Sequence, residues 1–222
     1  MSVVRQLHKF GGSSLADPEC YRRVANILKE YSSENDLVVV SAAGKTTNRL
    51  IEFLDGLERD GRLAHDALQS LRHYQFGLVE SLLSGEAQGQ LLAQLNDEFS
   101  TLAELAAPLS QTQRAAVLGH GEVWSARLLA ALLNQTNLPA VAQDARAFLR
   151  AESGTQPEVD RARFLSAAER GAGAARQAPS DHHRFYGAKW RRRYRAAWSQ
   201  WFRLLGDHHW RVGRSVTRDD LE

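Results

Sequence analysis

The chain has 222 residues, 28 Lys+Arg against 26 Asp+Glu for a formal net charge of +2, and a 43% hydrophobic share, which fits a soluble globular chain of one domain, or one domain plus an appendage. A lone cysteine, Cys20, excludes a disulfide framework and a cysteine metal site; the longest apolar runs are too short to cross a bilayer, and the first residues form no apolar secretory core, so a cytoplasmic location is expected. The charge is unevenly split, with 14 basic and 20 acidic side chains in residues 1–160 against 14 basic and 6 acidic in residues 161–222, where four of the five Trp also lie; such asymmetry points toward a nucleic-acid- or membrane-binding tail.

Residues 3–10 read as a short strand that ends at Gly11-Gly12-Ser13-Ser14. Asp17 before Pro18 suits an N-cap followed by Pro at the first helical position. Val24, Ile27, Leu28 and Tyr31 then recur at helical spacing and predict a helix over 18–33. Residues 37–40, Leu-Val-Val-Val, form a continuous apolar run of the buried parallel-strand type, and a second small-residue loop, 41–48, follows. Strand, turn, helix and strand in that order make a βαβ unit, hence an α/β fold with a parallel sheet.

Residues 48–134 read as helical throughout. Leu50, Ile51, Leu54 and Leu57 share one face; Leu68, Leu71, Tyr74, Leu78 and Leu82 mark a second helix; Leu91, Leu92, Leu95, Phe99, Leu102 and Leu105 mark a third, ended by Pro108; residues 117–133 carry a fourth. Another short strand is predicted at 138–143. Beyond about residue 160 neither the strand nor the helix period persists.

Both small-residue loops follow the C-terminal ends of parallel strands, where open α/β sheets bind ligands. Small residues let phosphate oxygens approach backbone N–H groups, and Lys9, just before Gly11-Gly12, can supply a cation to a polyphosphate. Phosphoryl transfer asks mainly for charge neutralisation and in-line positioning. The first loop is neither a Walker A sequence nor a GxGxxG fingerprint. Taken by itself, it is equally a tight strand-to-helix connection.

Three ordered motifs carry a specific resemblance. Lys9-Phe10-Gly11-Gly12-Ser13-Ser14-Leu15-Ala16-Asp17 resembles the opening motif of the aspartokinases, and the segment from Val39 to Leu50 resembles their second loop. Gly119-His120-Gly121-Glu122-Val123-Trp124-Ser125 is similar to their third motif, and the wording of these motifs leans toward the bifunctional aspartokinase–homoserine dehydrogenase branch. The resemblance covers residues 3–160. It implies the amino acid kinase fold, a three-layer αβα sandwich with a mostly parallel sheet, incomplete here. It also implies transfer of the γ-phosphoryl group of ATP, with Mg2+, to the β-carboxylate of L-aspartate, on the route to lysine, methionine and threonine. Lys9 would neutralise charge on the transferred group, as the catalytic residue. Gly11, Gly12 and Ser13 would cradle phosphates, and Ser41, Thr47 and Glu122 would bind aspartate, with Glu122 on its ammonium group. No protein metal ligand is expected. The intact family forms homo-oligomers. Lys45 stands where the family has a small or apolar residue, and His120, Arg127 and Asp144 read as structural.

The family's kinase domain has a second half with a Gly-Arg-(small)-Gly-Ser-Asp motif, which is not legible in residues 161–222. Moved one base downstream, however, codons permitted for the stretch from Arg195 to Arg214 can read Val-Leu-Leu-Gly-Arg-Asn-Gly-Ser-Asp and onward. The stretch through Arg184-Phe185-Tyr186-Gly187, with the codon before it, can likewise read Thr/Ser-Gly-Phe-Met-Gly. The chain is therefore divided into an aspartokinase segment, 1–160, and a basic tail, 161–222, read as out of frame and disordered, with kinase activity impaired or lost. The alternative, a non-catalytic fragment whose tail binds nucleic acid through Arg191-Arg192-Arg193-Tyr194-Arg195 and its Trp residues, is disfavoured because no nucleic-acid-binding module is recognisable.

Overall fold

The strand β1 (Gln6–Phe10) buries Leu7 and Phe10 and exposes Lys9, and β2 (Leu37–Val40) is buried along its whole length. The computed structural model describes residues 6–33 and 36–147 and the backbone of two further strands, 183–187 and 211–212. Between β1 and β2 runs α1 (Pro18–Tyr31), and Asp17 caps it as its pattern predicts: the carboxylate accepts from Cys20 N at 2.8 Å, with Pro18 in the first turn. Cys20 is half-buried and unpaired by any disulfide. The βαβ unit is closed at its far end by Asp36. This wholly buried carboxylate accepts from the backbone N–H groups of Gln6 (2.8 Å) and Ser33 (2.7 Å) and lies 3.3 Å from His8 Nε2. Burial of the charge is thus offset by hydrogen bonds from the start of β1 and from the loop that follows α1.

Five helices follow: α2 (Thr46–Arg59), α3 (Gly61–Leu82), α4 (Gly85–Ala103), α5 (Gln111–Leu118) and α6 (His120–Gln135). Two boundaries differ from the expected ones. The third predicted helix stops at Ala103, ahead of Pro108, and the fourth is two helices that meet at Gly119. α5 starts on a capping box in which the Ser110 hydroxyl accepts from Gln113 N and the Gln113 side chain takes the Ser110 N–H. Leu50, Phe53 and Leu54 of α2, Leu68, Leu71 and Leu78 of α3, and Leu91, Leu95 and Phe99 of α4 all enter one hydrophobic core with Leu128, Leu129 and Leu133 of α6.

After α6 comes β3 (Ala140–Asp144), close to the expected strand, and then a 3-10 turn, Ala145–Ala147. Two more strands, β4 (His183–Gly187) and β5 (Arg211–Val212), come from the stretch where neither period could be read. The sheet order is β3-β4-β2-β1-β5, and every pairing is parallel. α6 packs on β2, β3 and β4. The described residues thus form helices laid on a parallel sheet, an incomplete αβα arrangement. Residues 161–182, 188–210 and 213–222, on which most of the out-of-frame reading falls, lie outside the described residues.

Candidate active site

The two loops predicted to carry chemistry leave the C-terminal ends of adjacent strands, because β1 and β2 pair in register from Leu7–Leu37 to Phe10–Val40. They are tied to each other by backbone. Ser41 N donates to Phe10 O at 3.1 Å and Gly44 N to Gly12 O at 2.8 Å. The first loop continues as a 3-10 turn, Gly12–Leu15, that buries Leu15 completely. A Cβ on Gly12 would lie 2.6 Å from the Ala42 carbonyl oxygen, whereas one on Gly11 would meet nothing within 4 Å. Gly12 therefore permits the loops to touch, and Gly11 leaves open space beside the turn. Lys9, one strand residue before, is exposed at the same end of the sheet.

In the second loop Ser41 is buried and Gly44 takes a left-handed conformation, φ +51°, where glycine carries no steric penalty. Lys45 is exposed and precedes α2 without a side-chain cap bond, so the loop accommodates its long side chain in solvent. Thr47 lies inside the first turn of α2 and is half-buried, while its neighbour Thr46 is wholly buried.

The third motif opens α6. Gly121 packs so tightly against the second loop that a Cβ there would sit 2.8 Å from Ala42 Cβ and 3.0 Å from Thr46 Cγ2. This contact brings the start of α6, which carries Glu122, against the second loop. Glu122 is wholly buried in the first turn of α6, where the partial positive charge of the helix start favours a carboxylate. The structure thus gathers Lys9, Gly11, Gly12, Ser13, Ser41, Thr47 and the start of α6 around the C-terminal ends of β1 and β2. Among the described residues no group of three or more His, Cys, Asp or Glu is placed to hold a metal ion.

His120 faces away from this chemistry. Its Nδ1 donates to the carbonyls of Ala116 (3.0 Å) and Val117 (3.1 Å); carbonyl oxygens only accept, so the proton is on Nδ1. Its ring is tilted over Trp124, 5.5 Å between centroids. Burial pushes its pKa below the usual imidazole value, against the opposing pull of Glu98. Glu98 accepts from Trp124 Nε1 at 2.5 Å and from Arg127 Nη1 at 2.6 Å, and Trp124 stacks on Phe99 at 4.9 Å. Arg127 is a tether for α4, as its structural reading expects. At the end of β3, Asp144 is bonded to Arg146 through three guanidinium contacts of 2.7 to 3.0 Å.

Two residues of the site region carried no sequence signal for their roles, Tyr74 and Gln75 on α3. Its spacing puts Tyr74 on the core face, yet its hydroxyl donates to Ala16 O at 2.8 Å. Gln75 is buried and donates to Thr46 Oγ1 at 2.8 Å. Residues 191–195, the basic run weighed for nucleic acid, lie outside the described residues.

The amino acid kinase family profile matches residues 5–173. The chain is 52% identical over 157 residues to the bifunctional aspartokinase/homoserine dehydrogenase 2 of Escherichia coli (strain K12), covering 70% of this chain and 19% of that protein. It is 32% identical over 143 residues to lysine-sensitive aspartokinase 3 of the same organism, covering 64% of this chain and 31% of that protein. A solved structure of E. coli aspartokinase III in complex with aspartate and ADP aligns with a TM-score of 0.63 at 25% identity, over 82% of this chain and 40% of that one. The chain spans about a fifth of the length of the bifunctional relatives it matches.

Proposed function

Because the chain belongs to the amino acid kinase family, we propose that it carries the phosphate-cradling and aspartate-binding part of an aspartate kinase, acting in the cytoplasm on L-aspartate and ATP. The observation that carries this reading is the joining of the two loops through Gly12, Ala42 and Gly44, with α6 seated on the second of them through Gly121. An exposed Lys9 ammonium group, open space beside Gly11 and the buried Glu122 carboxylate support this reading. A cation and backbone donors suit a polyphosphate, and a buried carboxylate suits the ammonium group of an amino acid.

In the proposed reaction a β-carboxylate oxygen of aspartate attacks the γ-phosphorus of ATP, and the bond to the β,γ-bridging oxygen breaks toward ADP. Lys9 offsets the charge that builds on the transferred group. The N–H groups of the 11–13 turn hold phosphate oxygens, and Ser41 and Thr47 orient the substrate carboxylates. Glu122 takes the α-ammonium and so separates aspartate from dicarboxylates that lack one. Magnesium bound to ATP would supply further charge neutralisation.

The test is calorimetry of aspartate and of an ATP analogue against the full chain, with Lys9→Ala and Glu122→Gln beside it. Lys9→Ala should weaken the nucleotide and Glu122→Gln the aspartate, each by about tenfold or more, a charged hydrogen bond being worth roughly 1.5–3 kcal/mol. Binding of neither ligand by the parent chain refutes the reading.

We also propose that the sequence from about residue 160 onward is read one base out of frame. Support comes from register. β4 is an interior strand between β2 and β3, and Arg184 occupies the position paired with Leu37 and Val141. Interior parallel strands are ordinarily continuous apolar runs, and the shifted reading of this stretch, Thr/Ser-Gly-Phe-Met-Gly, is closer to that pattern. On this proposal aspartate-dependent ADP formation by the chain is near background even where binding persists.

A further inference from the structure

Two consecutive residues of α3 grip the two loops. The Tyr74 hydroxyl donates to Ala16 O, just past the first turn, at 2.8 Å. A Cβ on Gly44 would stand 2.8 Å from that same hydroxyl, so Tyr74 touches the second loop as well. The Arg49 guanidinium lies over the Tyr74 ring, 4.7 Å from its centroid, and links the ring to α2. One residue on, Gln75 Nε2 donates to Thr46 Oγ1 at 2.8 Å, with both residues buried.

These contacts close a circuit. α3 holds Ala16 through Tyr74; the first turn holds the second loop through Gly12 O and Gly44 N; the second loop returns to α3 through Thr46 and Gln75. Breaking a buried amide–hydroxyl pair strands polar groups away from water, so each link resists opening. A free loop pair at the end of a sheet would sample many arrangements, and its ordering would then be charged against ligand binding.

We infer that Tyr74 and Gln75 are positioning residues that lock the phosphate-facing turn and the aspartate-facing loop into one unit before any ligand arrives. The identity of the ligands rests on the proposed function; the clasp itself does not. Gln75 acts through Thr46, which begins the helix turn that carries Thr47. Tyr74 acts through Ala16, the residue that follows the turn begun at Gly12.

Amide hydrogen exchange and calorimetry on the full chain test this. Gln75→Met, nearly isosteric, should speed exchange in residues 42–47 by about tenfold while α6 changes by less than about twofold, and should weaken aspartate by about tenfold. Tyr74→Phe should do the same for exchange in residues 12–16. The double variant Gln75→Met/Thr46→Val removes both buried polar groups; it should recover melting temperature without recovering aspartate affinity, whereas Thr46→Ser, which keeps the hydroxyl, should retain both. Should Gln75→Met fail to fold, Tyr74→Phe at the half-buried end of the clasp decides the matter alone. Unchanged loop exchange, or a rise spread evenly over the chain, overturns the inference. If the parent chain binds no aspartate, the proposed function falls, and the exchange result still decides the clasp.

Discussion

Gly12 and Ala42 meet so closely that a single methyl group on Gly12 would overlap the Ala42 carbonyl oxygen at 2.6 Å. The obstacle is backbone, which cannot swing aside as a side-chain tip can. Gly12→Ala is therefore expected to force the two loops apart, at about 1–3 kcal/mol of stability, and to abolish nucleotide binding. Gly11→Ala, with no atom within 4 Å, is expected to stay within about 0.5 kcal/mol of the parent. Thermal melts and nucleotide titration of the pair check this; equal effects of the two substitutions would remove the close approach from the account.

Gly121 poses the same problem in a helix. Alanine there gains about 1 kcal/mol of helix propensity but places its Cβ 2.8 Å from Ala42 Cβ and 3.0 Å from Thr46 Cγ2. The overlap should win, leaving Gly121→Ala less stable by about 1–2 kcal/mol. Adding Ala42→Gly frees the nearer contact and should return part of that loss in chemical denaturation, a non-additivity typical of touching sites.

His120 should make stability fall on mild acidification. Burial holds its folded-state pKa below the usual imidazole value of about 6.5; Glu98 pulls against that shift and Arg146 adds to it. The unfolded chain then takes up the proton first, so the contribution is fully present above about 6.5 and is lost as pH falls through that value toward the lower folded-state pKa. His120→Gln keeps a donor for the carbonyls of Ala116 and Val117 and does not titrate. Its denaturation free energy should drop less than that of the parent between about pH 7 and pH 5, and parallel curves would exclude His120 as the source.

The coding DNA decides the out-of-frame proposal. A single-base change near codons 158–166 should restore an apolar strand at 183–187 and a Gly-Arg-(small)-Gly-Ser-Asp motif downstream. The corrected chain should then gain aspartate-dependent ADP formation in a coupled assay. If no such change restores the motif, the tail is in frame and β4 is a genuine Arg-bearing interior strand.

Residues close in sequence made the first βαβ unit legible. Asp17 and Pro18 announce α1 because the cap bond spans three residues, and the apolar run 37–40 announces a buried strand because nothing polar interrupts it. The loop residues Gly11 and Gly12 stand out for the same reason, small residues after a strand being a local pattern, whereas Ser41 and Thr47 stand out only through the resemblance to the aspartokinase motifs. Gly119 was harder, since an apolar period continues across it, and only the capping and bonding of α5 and α6 divide that stretch in two.

The sequence by itself determined the family and the first parallel pair of strands, because the motifs and the apolar strand run are each written in neighbours within a few positions. Only the tertiary structure decided that Glu122 is wholly buried, that Gly121 rather than its neighbours is the contact with the second loop, and that Gln75 reaches Thr46 across 29 positions. A charged or amide side chain on a helix carries no local mark of burial. Its environment is set by which distant segment packs there, and that is a property of the closed fold alone.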